Sequence, residues 1–111
     1  MLTSPEGRGR FIAGLRELAD YLAVHEDVPV PDYPKITAHA DGADDAEERE
    51  MVDKAARGLR RHAAETRPGS GHYKVVRYFG PLEYGVAAIS RSCMELHEAQ
   101  QSYVDNITAT A

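Results

Sequence analysis

The most strongly patterned part of this sequence is HYKVVRYFGPLEYGVAAIS, residues 72–90. Two runs rich in β-branched and aromatic residues flank Gly80-Pro81. This pair suits a two-residue type II′ turn, because glycine accepts the positive φ needed at the first position and the fixed φ of proline fits the second. The stretch therefore predicts an antiparallel hairpin of strands 72–79 and 82–89.

The turn also predicts which side chains share a face of the hairpin, since residues two apart on a strand point the same way. The register pairs Phe79 with Leu82, Arg77 with Tyr84, Val75 with Val86, and Tyr73 with Ala88. These residues form the expected core face. The opposite face carries Val76, Tyr78 and Ile89. If no helix covers them, these three residues would form an apolar patch for a protein partner.

The segment before the hairpin predicts a helix, a strand and a second helix. In the first helix, Ser4 and Pro5 are suited to the N-terminus, and the apolar residues recur with a helical period, which assigns them to the core; they are Phe11, Leu15, Leu18 and Leu22. The proline-rich segment 28–34 then connects to a short alternating strand, 35–40. The second helix begins after Asp44 or Asp45, and its predicted buried stripe is Met51, Val52, Ala55, Ala56 and Leu59.

Residues 62–71 are rich in proline, glycine and serine, which predicts a flexible loop, and a third helix is expected after Ser90 or Ser92. The predicted order is α-β-α-β-β-α. This order indicates one two-layer α+β domain over residues 1–111, with helices on one face of a small three-stranded sheet and frayed ends at 1–4 and 108–111. A sheet this small has open edges that are available for a dimer or a partner strand.

Composition narrows the function classes. The chain has 111 residues, a formal net charge of -5 and 42% hydrophobic residues. No apolar run is long enough to cross a bilayer, and the N-terminus lacks the apolar core of a secretory signal, so a cytoplasmic protein without membrane contact is expected. The single Cys93 has no partner for a disulfide or a paired-cysteine metal site. No cofactor is expected.

The charges are segregated along the chain. Residues 41–53 carry seven acidic residues and one basic residue, and residues 54–77 carry seven basic residues and one acidic residue. Complementation of the dipole of the second helix explains much of this pattern. The alternative is a nucleic-acid surface over residues 57–77 that binds phosphates despite the net negative charge. Its candidate residues are Arg57, Arg60, Arg61, Arg67, Lys74 and Arg77.

No catalytic or metal-binding motif stands out. His39 and Asp41, with His72, lack the short repeated spacing of a zinc site. A small enzyme using His72, Tyr84 and Glu83 is a further alternative. Strand alternation places Tyr84 on one face and the other two residues on the opposite face, so these groups are not expected to converge.

The run GHYKVVRYFGPLEYGVAAI, which follows an FIAGLRELADYL helix and a VPVP connector, resembles a group of small actinobacterial proteins associated with phages, plasmids or integrative elements. The resemblance implies an accessory or regulatory role in a mobile element, and it supplies no functional residues. The sequence is interpreted as that of a non-enzymatic binding or oligomerising protein that acts through contacts with another protein or with itself as a homodimer. A nucleic-acid-binding regulator is the second interpretation.

Overall fold

A computed structural model of the chain describes residues 4–91, and these form an α+β arrangement. The elements in chain order are α1 (Pro5–Val24), β1 (Lys35–His39), α2 (Asp45–Leu59), β2 (Ala64–Glu65), β3 (His72–Phe79) and β4 (Leu82–Ile89). The predicted third helix, the ends 1–3 and 108–111, and Cys93 lie outside the described residues.

The hairpin of β3 and β4 is confirmed, with the predicted register. Phe79 pairs with Leu82, Val75 with Val86 and Tyr73 with Ala88. Gly80 has a φ of 61°, as the first position of a type II′ turn requires. Strand β1 runs parallel to β4 along its other edge, with Ile36 opposite Tyr84.

The predicted three-stranded sheet is wrong by one strand. Within residues 4–91 the sheet has four strands in the order β1-β4-β3-β2. The additional strand, β2, lies in the segment 62–71 that was predicted as a loop, and it pairs antiparallel with β3. A turn stabilises this pairing, because Glu65 accepts a hydrogen bond from the Gly69 N–H at 3.0 Å. Two residues are too few to show a strand period in the sequence.

The core lies between α2 and the predicted core face of the hairpin. Val52 and Ala56 of α2 are buried against Val75, Val86 and Ala88. The helix begins after Asp44, whose carboxylate accepts a hydrogen bond from the Glu47 N–H at 2.8 Å. Its last residue is Leu59, and the next residue, Arg60, has a left-handed φ of 56°. The predicted α2 stripe is therefore confirmed at its centre.

Helix α1 does not join this core, so the expectation that its apolar stripe is core is wrong. The helix starts as predicted, with Ser4 accepting a hydrogen bond from the Gly7 N–H at 3.1 Å and Pro5 in the first turn. None of its residues is buried. Its N-terminal half borders an open groove of about 340 Å³ whose other wall is formed by sheet residues and the end of α2. Helix α2 covers the centre of this sheet face, and α1 therefore stays outside the core.

Candidate functional site

Five of the ten exposed large apolar residues in the described part of the chain lie on α1. Phe11 is 47% exposed, Leu18 52% and Val24 76%. We call this surface the α1 face and define it by Phe11, Leu15, Leu18, Leu22 and the neighbouring Ile12, Tyr21 and Val24. Leu15 and Leu22 are half-buried, whereas Ile12 and Tyr21 are exposed. Such a stripe of side chains at helical spacing is the kind of surface that binds another helix or a groove.

The apolar exposure continues past the end of the helix. The Tyr21 ring stacks on the His25 ring with 3.9 Å between centroids, and the Tyr21 carbonyl accepts the His25 backbone N–H at 3.0 Å. These contacts end α1. Val28, Val30 and Tyr33 in the connector are also exposed. The connector therefore extends the apolar surface instead of covering it.

The groove beside α1 has a mostly apolar wall. Its residues from α1 are Arg8, Phe11, Ile12 and Leu15, and those from the rest of the chain are Ile36, Leu59, Phe79, Leu82 and Tyr84. Phe79, next to the hairpin turn, is itself an exposed large apolar residue. An added apolar side chain can therefore enter here and bury surface that the chain leaves open.

The predicted partner patch of Val76, Tyr78 and Ile89 lies on the sheet face opposite α2. Tyr78 is 60% exposed, whereas Val76 and Ile89 are half-buried. The patch is interrupted by Glu83, which is only 8% exposed and accepts a hydrogen bond from the Tyr78 hydroxyl at 2.9 Å. The binding role of these three residues stays a prediction.

Glu83 is held as a carboxylate by its neighbours. The hydrogen bond from Tyr78 lowers the pKa of Glu83 below its ordinary value, and the positive charges of Lys74 and Lys35 act in the same direction against the opposing effect of burial. Lys74 Nζ lies 3.7 Å from a Glu83 oxygen. A Cβ at Gly85 would lie 3.0 Å from Val76 and 3.5 Å from Lys74, so the glycine leaves room for both side chains. This face therefore carries an ion pair between β3 and β4.

The predicted basic surface is divided by the fold. Arg57, Arg60 and Arg61 line a shallow groove of about 500 Å³ together with His62. Lys74, in contrast, pairs with Glu83 on the opposite face of the sheet. Tyr73 lines the groove, and neighbouring residues of a strand point to opposite faces of the sheet. Lys74, the next residue, therefore points away from the groove.

Two further residues of the predicted basic surface make hydrogen bonds within the fold. Arg77 donates a hydrogen bond to the Leu59 carbonyl at 3.3 Å and lies over the Phe79 ring at 5.1 Å. It therefore satisfies a carbonyl at the end of α2, as expected from the helix dipole. Arg67 is exposed, and its carbonyl accepts the Ser70 N–H in the turn between β2 and β3.

A polar network between α2 and the sheet was not predicted. The Tyr73 hydroxyl donates a hydrogen bond to Asp53, and this bond is the main cause of the raised pKa of Tyr73. The Arg49 guanidinium lies 4.2 Å from the centre of the Tyr73 ring and 3.2 Å from a Glu65 oxygen. Arg49 thus connects α2 with both β2 and β3. Arg49 and Glu65 are 16 positions apart in the sequence and Asp53 and Tyr73 are 20 apart, so only the fold brings each pair together.

The proposed enzyme residues do not converge. Tyr84 lies in register with Arg77, on the face covered by α2. Glu83 and His72 are on the other face at opposite ends of the hairpin, since Glu83 pairs with Tyr78 and His72 pairs with Ile89. Among residues 4–91, no group of three His, Cys, Asp or Glu side chains is arranged to hold a metal ion. No helix in the same range has the length and apolarity needed to cross a membrane.

Comparison with known proteins gives no family model, no curated protein and no solved structure that matches this chain.

Proposed function

We propose that this chain is a small non-enzymatic binding or oligomerising protein that works through protein contacts made by the α1 face. The observation that carries this proposal is the complete lack of buried residues on α1, despite an apolar stripe along its length. The resemblance noted above supports an accessory or regulatory role in a mobile element, and the composition supports a cytoplasmic location.

Helix energetics support an intermolecular role for α1. Most of the stability of a helix in a protein comes from packing of its apolar face, since short helices alone are marginal in water. The α1 face receives little of this packing within the described chain, because Leu18 and Val24 are more than half exposed. A protein that covers this face would remove apolar surface from water, which is favourable by about 25 cal/mol of hydrophobic free energy for each Å².

The proposal is tested by placing charge on the α1 face. In the dilute chain, the Leu18→Lys/Tyr21→Lys variant should have a thermal midpoint close to that of the wild type, because both side chains are more than half exposed and neither is part of the core. It should also bind less of an uncharged hydrophobic dye such as Nile red, since the exposed apolar surface is smaller. Thr37→Lys, on the exposed side of β1, is the matched control. A large loss of thermal stability, or unchanged dye binding, would show that the α1 face belongs to the core or is inaccessible.

Nucleic-acid binding is a second candidate because Arg57, Arg60, Arg61 and His62 line one groove. The Arg57→Ala/Arg61→Ala variant should then lose binding to a fluorescent mixed-sequence oligonucleotide at low salt, and the wild-type affinity should fall as salt rises. Lys74→Ala is the control, because Lys74 lies on the other side of the sheet. Equal retention of the oligonucleotide by the wild type and the double variant would remove this candidate.

A further inference from the structure

We propose that the α1 face binds the α1 face of a second copy of this chain, with the two helices antiparallel. This inference rests on the proposed function and names its partner. It follows from three features of α1: the spacing of its apolar residues, the distribution of its charges, and the open groove beside it.

The apolar stripe is symmetric along the helix. Its residues are separated by four, three and four positions, so the series is unchanged when it is read from the other end; they are Phe11, Leu15, Leu18 and Leu22. The midpoint lies between Arg16 and Glu17. In an antiparallel pair centred there, Phe11 faces Leu22 of the second copy and Leu15 faces Leu18. The 4-3-4 spacing is also that of a coiled-coil seam.

The charges of α1 select the antiparallel direction. In residues 5–16, three arginines accompany one acidic residue. In residues 17–24, two acidic residues, Glu17 and Asp20, occur with no lysine or arginine. Antiparallel helices place the basic half of each copy beside the acidic half of the other, whereas parallel helices place like charges together. Complementary charge of this kind selects orientation and partner.

The groove gives the second copy a place to bury its side chains. Phe11 borders the groove, and the proposed register brings Leu22 of the second copy to Phe11. That leucine would lie against the wall that contains Phe79 and Leu82. Because the pairing is two-fold symmetric, each copy fills the groove of the other, and every contact occurs twice. An unrelated helix would fill only one groove.

The experiment uses light scattering on the full chain over a concentration series at low salt. The wild type should move from the monomer mass of 12.2 kDa towards twice that value as concentration rises. The Arg8→Glu/Arg10→Glu variant should associate at least about tenfold more weakly, because each pair of halves becomes repulsive. Adding Glu17→Lys/Asp20→Lys to that variant reverses both halves of α1 and should restore association to within about threefold of the wild type.

Mixing distinguishes the two helix directions. The four-fold charge-swapped chain should associate with itself but not with the wild type, since an antiparallel mixed pair places acid beside acid and base beside base. Preferential mixed association would indicate parallel helices and would overturn the proposal. Leu18→Lys should also abolish association, and association that persists in this variant would place the interface elsewhere.

The outcomes separate this inference from the proposed function. A wild type that stays monomeric at about 1 mM, well above the affinity range of weak specific complexes, would overturn self-association. If Leu18→Lys/Tyr21→Lys still binds less of the uncharged dye without loss of thermal stability, the proposed function stands and a different protein would be the partner of the α1 face. If that variant instead unfolds readily, both proposals fail together.

Discussion

The two helices described in this chain are both amphipathic, yet they differ in what covers their apolar residues. In α2, Glu48, Val52 and Ala56 are buried. In α1, which is five residues longer, none is buried. Periodicity therefore reports that a helix has an apolar face, but not which surface covers that face.

The polar contacts show the same difference. The side chains of α2 reach the sheet through Asp53 and Tyr73 and through Arg49 and Glu65. Arg77 of the sheet also bonds to the last turn of α2. The side-chain hydrogen bonds that the structure shows for α1 lie within the helix and its ends, at Ser4 and His25. The sheet therefore holds α2 in one position, whereas α1 has its apolar residues available for another molecule.

The largest expected effect is a difference in unfolding free energy between two substitutions, one in each helix. Val52→Ala should destabilise the chain by about 2 kcal/mol or more, because Val52 is 0% exposed and its loss leaves a cavity. Leu18→Ala should change the unfolding free energy of the dilute chain by less than about 0.5 kcal/mol, as surface substitutions do. Urea unfolding measures both values. A Leu18→Ala cost equal to that of Val52→Ala would contradict the distinction between the helices.

The next effect concerns the contact between α2 and β3. Tyr73→Phe should cost about 1 kcal/mol, because it removes the hydrogen bond to Asp53 and leaves that half-buried carboxylate with one partner fewer. Tyr21→Phe on α1 is the matched control and should be neutral within error. Thermal unfolding of the two variants at neutral pH compares them. Equal effects would mean that the Tyr73 hydroxyl does not attach α2 to the sheet.

A gain of stability is expected where α2 ends. Arg60 has a left-handed φ of 56°, a conformation that costs other residues more than glycine. Arg60→Gly should therefore stabilise the chain by about 0.5–1 kcal/mol. Arg57→Gly, three residues earlier in the regular helix, is the control and should destabilise it by about 1 kcal/mol. If Arg60→Gly also destabilises, the Arg60 side chain contributes more than its backbone costs.

The smallest effect is a pH dependence. The hydrogen bond to Asp53 raises the pKa of Tyr73, so the folded chain keeps its phenol proton at a pH where the unfolded chain loses it. Its contribution to stability is complete below the ordinary tyrosine pKa of about 10 and is lost as pH rises through the folded pKa. The stability difference between the wild type and Tyr73→Phe should therefore shrink above about pH 10. A constant difference would exclude this coupling.

The hairpin could be predicted from sequence because its information is local. The turn at Gly80-Pro81 sets the register, and the register assigns each side chain to a face. The strand β2 could not be found in this way, since Ala64 and Glu65 are too short a run to show alternation. The sequence feature associated with β2 is Gly69, whose backbone N–H donates a hydrogen bond to the Glu65 carboxylate in the turn that follows the strand.

The candidate sites depended on what lies between residues distant in sequence. Lys74 and Arg57 were grouped by charge and chain position, but the sheet separates them. The exposed state of Leu18 could not be read from its helical period, because the same period is produced by a core helix and by an interface helix. The unequal charges of the two halves of α1 are the sequence feature on which the proposed antiparallel pairing rests.

Hydrogen exchange of the two helices in dilute and concentrated protein distinguishes a core helix from an interface helix. We expect the amides of α2 to be equally protected at both concentrations, because they are protected by the chain's own sheet. The amides of α1 should exchange faster in dilute protein and gain protection when the chain is concentrated. Protection of α1 equal to that of α2 in dilute protein would contradict this expectation, since the α1 face would then be part of the core.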